Sequence, residues 1–141
     1  MKIVAFAASN SKKSINKQLA TYAAGLVTGA DVDVLDLNDY EMPIFSEDRE
    51  RESGQPAQAR AFLERIAGAD ALVIGYAEHN GSFSAAYKNI VDWASRVNRR
   101  LFQYKPTLML ATSPGAGGAA SRGRAAQSSL AYGVSWTMSQ R

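Results

Sequence analysis

The chain is predicted to be an α/β protein built on a doubly wound parallel sheet. Three observations carry that expectation: strand-like and helix-like segments alternate from Lys2 to Thr112, the strand segments are mostly short apolar runs, and three of them end in loops rich in Ser, Asn or Gly. Strands buried on both faces belong to parallel sheets, whose crossovers are right-handed and carry helices.

Lys2 to Ala8 (KIVAFAA) reads as the first strand, apolar throughout and closed by small residues. The polar loop SNSKKSIN comes next, and Ser14 is placed to cap a helix whose apolar positions Ile15, Leu19, Tyr22, Ala23 and Leu26 recur at helical spacing. The alternation in VDVLDL, with Val32, Val34, Leu35 and Leu37, predicts a second strand with one wetted face. Asn38 to Gln55, interrupted by Pro43 and Gly54, reads as a surface connection into which Met42, Ile44 and Phe45 tuck back. Pro56 opens a helix with the stripe Ala59, Phe62, Leu63 and Ile66. Ala71 to Tyr76 is the third strand, and the loop AEHNGS leads from it into a helix from about Phe83 to Val97, with Tyr87, Ile90, Val91 and Ala94 inward. Thr107 to Thr112 is the fourth strand, ending in SPGAGG.

At 141 residues the chain suits one domain, burying roughly two thirds of the surface its unfolded form exposes. An apolar fraction of 46% and a charged fraction of 21% are ordinary for a globular protein. No long apolar run and no basic-then-apolar leader is present, so a cytoplasmic protein without a membrane partner is expected. With no cysteine and one histidine, thiol chemistry is excluded and a Cys/His metal site nearly so. Redox chemistry would have to come from a bound group.

The net charge of +3 conceals an asymmetry: all 13 acidic residues lie at or before Asp92, so residues 1–92 sum to −4 and the rest to +7. The basic residues are scattered, without aromatic interleaving or a recognition-helix pattern, which argues against nucleic acid as a partner.

In such sheets ligands bind outside the carboxyl ends of the strands. Three loops fall there: Ser9 to Asn16, Ala77 to Ser82 and Ser113 to Gly118. The first puts the hydroxyls of Ser9, Ser11 and Ser14 and the Asn16 amide at a helix start, where free N–H groups and the helix dipole favour an anion such as a terminal phosphate; an ordinary capped turn is the plain alternative. It matches neither GxGxxG nor GxxxxGK[ST]. In the second, Asn80-Gly81 permits a tight turn with positive φ, and Ser82 is a candidate cap. His79 is the single histidine, but no GxSxG elbow accompanies it, which weighs against a Ser-His-Asp hydrolase. The third, Ser113-Pro114-Gly115-Ala116-Gly117-Gly118, allows close backbone approach to a flat ligand or forms a flexible connection. Lys88 and Asp92 are spaced as a solvated ion pair, and Trp93 as core or interface.

Ser9 with Ser14-Ile15-Asn16, then Glu78-His79-Asn80-Gly81-Ser82 ahead of Lys88-Asn89-Ile90-Val91-Asp92-Trp93, then Ser113 to Gly118 together resemble the NAD(P)H-dependent FMN reductase family of flavodoxin-like proteins. The resemblance covers roughly residues 1–120. The second block is the most specific, because family members typically read Pro-Glu-Tyr-Asn-Gly-Ser before a helix with Lys-Asn-x-x-Asp-Trp. Here Ala77 and His79 stand for the Pro and Tyr.

The resemblance implies a flavodoxin-like sheet of order 2-1-3-4-5 with helices on both faces. Its short or atypical fifth strand would fall within Val134 to Met138, in one FMN-binding domain over residues 1–141. It implies FMN as cofactor, with Ser9, Ser11, Ser14 and Asn16 on the phosphate and Ile15 among them. Glu78, His79, Asn80, Gly81 and Ser82, with Ser113, Gly115 and Gly118, would surround the isoalloxazine. In such a protein NAD(P)H passes hydride to flavin N5 and a quinone, azo, flavin or similar small acceptor takes the electrons, so no catalytic acid or base and no metal ligand is assigned. The alternative is a flavodoxin-type electron carrier, which the net positive charge disfavours, or an FMN-binding module without NAD(P)H activity of its own. Family members often form homodimers or homotetramers, which the resemblance carries over as an expectation. The acid-free tail from Ser121 departs from the family's usual ending, as a shifted reading frame or a truncation would produce.

Overall fold

The computed structural model describes residues 1–114 together with the backbone of Ser135 and Trp136. Strand β1 (Lys2–Ala8) is central and buried along almost its whole length, as an apolar run without a polar face must be. It pairs in parallel with β2 (Asp31–Leu35) on one side and β3 (Ala71–Tyr76) on the other, and β3 pairs in parallel with β4 (Pro106–Leu110). The sheet order is therefore β2-β1-β3-β4, with a reversal between β2 and β3 around β1. Beyond β4, the two-residue strand β5 (Ser135–Trp136) pairs in parallel with Pro106 and Thr107. The remainder of the expected fifth strand, the glycines of the third loop and the rest of the tail lie outside the described residues.

Helices cover both faces. Helix α3 (Ala57–Ala67) buries Ala59, Phe62, Leu63 and Ile66, and α4 (Ala85–Val97) buries Tyr87, Ile90, Val91 and Ala94, both as their periodicity predicts. They share the larger core with Val4, Phe6, Leu72 and Ile74 of the sheet. Helix α1 (Ile15–Gly25) lies on the opposite face, over Ile3, Ala5 and Val73.

The buried face of α1 differs from the expected one. Asn16, Ala20 and Ala24 point inward, while Ile15, Tyr22 and Leu26 are 40%, 68% and 65% exposed. Both stripes have helical spacing, and the small one wins because it lets the helix lie close to the sheet. At Gly75 of β3 the approach is so tight that an added Cβ would overlap the Asn16 carbonyl oxygen, with the carbonyl carbon 3.0 Å away and the Asn16 Cβ 3.2 Å. Larger side chains on that stripe would lift the helix off.

The connection from residue 38 to residue 55 is also more ordered than predicted. A 3₁₀ turn spans Leu37–Tyr40, and the short helix α2 (Glu47–Ser53) is capped by Ser46, whose side chain accepts from the Arg49 N–H. No residue of α2 is buried, so it has no apolar period to read; its signature is the cap and three acidic residues in the first turn. Met42 is buried as expected, but Ile44 is 66% exposed. The segment is clamped by α4: Asn89 Nδ2 donates to the carbonyls of Met42 (3.0 Å) and Pro43 (3.1 Å), and its Oδ1 accepts from Phe45 N–H (2.9 Å). Trp93, 1% exposed, donates its indole N–H to the Pro43 carbonyl at 2.7 Å, which makes it a core residue with a polar tether.

Candidate functional site

Parallel pairing sends the carboxyl ends of β1, β3 and β4 to one edge. Ala8 is level with Tyr76, and Gly75 with Leu110. The loops after these strands therefore start side by side, which brings the first two sets of predicted residues and the beginning of the third together.

The first loop is held by its own hydroxyls. Ser9, 7% exposed, accepts the Ser11 N–H on Oγ at 3.1 Å, and the Ser11 carbonyl accepts the Ser14 N–H at 3.1 Å. Ser14 is the N-cap of α1, as predicted, its Oγ taking the Lys17 N–H at 3.2 Å. The N–H groups of Ile15 and Asn16 open the helix with no acceptor among the described residues, and the loop also carries exposed Lys12 and Lys13. An anionic group fits there on charge and on donor supply. The Ile15 side chain is 40% exposed, so its main chain is the part of it that faces the helix start.

Asn16 is placed differently from the expectation that its amide is offered to a phosphate. Its Nδ2 donates to the Thr112 carbonyl at 3.0 Å and its Oδ1 accepts the Thr112 N–H at 2.9 Å, across 96 residues of chain. Lys17, next along the helix, pairs with Asp36 at the end of β2 at 2.7 Å. With the Lys17 ammonium and the Asn38 N–H against it, the Asp36 carboxyl is held at a pKa of about 2, down from 3.8.

The second loop is a two-residue turn. His79 and Ser82 form an antiparallel bridge with N–H···O distances of 3.0 and 3.1 Å, and Asn80 and Gly81 have φ of 52° and 75°. That is the left-handed pair Asn-Gly favours. Ser82 joins this bridge through its main chain and lies two residues before the cap of α4. The cap is Ser84, which takes the Tyr87 N–H at 3.2 Å and donates to the Ala8 carbonyl at 2.8 Å. The helix accordingly begins at Ala85, two residues later than predicted. His79 and Asn80 are exposed at the tip of the turn, and Glu78 is partly covered. Beneath them Tyr76, Phe83 and Tyr87 meet ring to ring at centroid distances of 5.4–5.7 Å. Burial pushes the Tyr76 hydroxyl up to about 12, so it stays protonated beside the Tyr87 hydroxyl at 3.4 Å.

Of the third loop, Ser113 is half-buried just past Thr112; Gly115 and Gly118 lie outside the described residues. Beside the first loop, a cleft of about 230 Å³ opens between Asn10, the 3₁₀ turn, Glu41 to Ile44 and the start of α4. Sequence reasoning gave no role to Ser84, Gly75 and Thr112, and noted Asn89 only within the family motif. Ser84 carried a local signal, as a second serine ahead of the helix. Among the described residues no group of three or more His, Asp or Glu could hold a metal, and no helix is long and apolar enough to cross a membrane.

A parallel α/β sheet of order β2-β1-β3-β4, with the small-residue loops after β1 and β3 on its carboxyl edge beside the topological switch point, defines a protein of the flavodoxin-like class. The chain belongs to the NADPH-dependent FMN reductase family, whose model matches residues 1–140. It is 38% identical over 122 residues to a 2-hydroxy-1,4-benzoquinone reductase of a Burkholderia species, covering 85% of this chain and 64% of that protein. It is 34% identical over 121 residues to an NAD(P)H-dependent FMN reductase of Pseudomonas aeruginosa, with the same 85% and 64% coverage. The chain thus spans just under two thirds of the length of these relatives. Among solved structures it is similar to a flavoenzyme NAD(P)H:(acceptor) oxidoreductase of Paracoccus denitrificans, with a TM-score of 0.79 and 26% identity over 99% of this chain and 76% of that one.

Proposed function

We propose that this chain is an FMN-dependent oxidoreductase that takes reducing equivalents from NAD(P)H and delivers them to a small-molecule acceptor of the quinone or azo type. The observation that carries this reading is the convergence of the first two family loops and the start of the third on one sheet edge, with helix N–H groups at the first of them that meet no acceptor among the described residues. Residues 1–141 act as one FMN-binding domain, with the sheet completed in the order 2-1-3-4-5.

The FMN phosphate is held by the main-chain N–H groups of Ile15 and Asn16 and the hydroxyls of Ser9, Ser11 and Ser14, and the ring by Glu78 to Ser82 with Ser113, Gly115 and Gly118. When bound, FMN supplies the redox chemistry, accepting hydride from the nicotinamide and returning electrons to the acceptor. The protein's residues orient and shield. The rigid Asn80-Gly81 turn presents main chain to the ring, and protonated Tyr76 with Phe83 and Tyr87 gives that loop a packed floor. No side chain is required to shuttle a proton. The acceptors named for the relatives, a hydroxybenzoquinone among them, support a planar carbonyl acceptor. A cytoplasmic homodimer or homotetramer, with no nucleic-acid partner, completes the proposal.

The test is the visible spectrum of purified protein reconstituted with FMN, before and after anaerobic addition of NADH and NADPH. A bound flavin spectrum that bleaches with either nucleotide and returns on adding a quinone is expected. Failure to bind FMN overturns the proposal, and a yellow protein that neither nucleotide bleaches assigns it to electron carriage instead.

A further inference from the structure

We propose that Asn16 is a positioning residue that sets where the third loop leaves the sheet, and does not itself bind phosphate through its side chain. This rests on the FMN reading above. Thr112 lies two residues beyond the end of β4, where no neighbouring strand among the described residues supplies ladder hydrogen bonds. The Asn16 side chain supplies them instead: its amide presents a donor and an acceptor in the arrangement of a peptide group, and both are engaged by the Thr112 main chain at 3.0 and 2.9 Å.

Asn16 is 4% exposed, so its side of this fork is shielded from water, while Thr112 is half-buried. The Asn16 main chain is seated as firmly, because Gly75 leaves the Asn16 carbonyl the space a Cβ would fill. One residue therefore links the start of α1, the end of β3 and the exit of β4. The chain continues past Thr112 into Ser113 and Pro114, so the point at which it departs from the sheet depends on this anchor. The phosphate is left to the Asn16 main-chain N–H, which meets no acceptor among the described residues.

Comparing FMN with riboflavin, which has the same ring and no phosphate, separates a ring-side brace from a phosphate contact. In Asn16→Ala, affinity for both ligands is expected to fall by a similar factor of about tenfold, the worth of the lost hydrogen bonds. A loss confined to FMN would assign the side chain to the phosphate and overturn the proposal. Unchanged affinity for both in a folded variant would also overturn it. Amide exchange of Thr112 in the ligand-free protein reads the brace directly: slow in the wild type and about tenfold faster in Asn16→Ala. Fast exchange at Thr112 in the wild type refutes it even if the variant does not fold. Wild-type protein that binds neither flavin defeats the FMN reading, while slow Thr112 exchange in that protein would still establish the anchor.

Discussion

Gly75 and Asp36 carry much of the local logic at the sheet edge. At residue 75 the neighbour is main chain, which cannot rotate aside. Gly75→Ala is therefore expected to destabilise the fold by about 1–3 kcal/mol, as overpacking does, and to displace the first turn of α1. The paired control is Gly25→Ala at the end of α1, where an added Cβ meets nothing within 4 Å; there the expected change is a stabilisation of about 0.5–1 kcal/mol. Urea midpoints at constant m-value read both, and the same sign for the two would refute the packing argument. Asp36 makes a pH-dependent contribution. Its folded pKa of about 2 lies below the unfolded 3.8, so the stabilisation is full above pH 3.8 and is lost as pH falls through 2. Because the pair with Lys17 is about one third exposed, the contribution is discounted to about 1 kcal/mol. Asp36→Asn should cost about that at pH 7 and progressively less from pH 4 to pH 2, as measured by denaturant titration at each pH.

Among the elements, legibility in the sequence tracked how strongly one periodicity dominated. Helices α3 and α4 and strands β1 and β3 carry one apolar pattern each, and their core positions were readable. Helix α1 carries two stripes, and hydrophobicity favours the large one, whereas the geometry at Gly75 demands the small one. Helix α2 carries none. The site was legible to the extent that its residues act locally, as in the Ser14 cap and the Asn80-Gly81 turn. Asn16 with Thr112 and Ser84 with Ala8 are contacts across 96 and 76 residues, which no local spacing encodes. The α1 assignment can be tested directly. Tyr22→Ser and Leu26→Lys should each change stability by no more than about 0.5 kcal/mol, since exposed positions tolerate substitution. Ala20→Leu, on the buried small-residue stripe, should cost about 1–3 kcal/mol. Thermal melts of the three proteins give the ranking, and the reverse order would restore the stripe that hydrophobicity suggests.

For the molecule as a whole, the described residues pack the two faces of the sheet unequally. The face under α3 and α4 holds the aromatic cluster of Phe6, Tyr40 and Phe62, with Trp93, Leu101 and Phe102. The face under α1 holds a small group of Ile3, Ala5, Ala20, Ala24 and Val73, and Leu108 of β4 is 39% exposed. Ile3 and Ile74 are 2% and 0% exposed, and they belong to the lightly and the heavily packed clusters respectively. The same substitution at each removes the same atoms, so the transfer contribution cancels and the difference reports how the surroundings respond. Alanine at a buried isoleucine costs about 2–5 kcal/mol, the spread reflecting how far the site can collapse. Ile74→Ala, in the aromatic-rich cluster, should fall in the upper half of that range; Ile3→Ala, in the cluster of small side chains beside α1, in the lower half. Denaturant unfolding of both variants measures the gap, and equal costs would mean that the α1 face is packed as rigidly as the other.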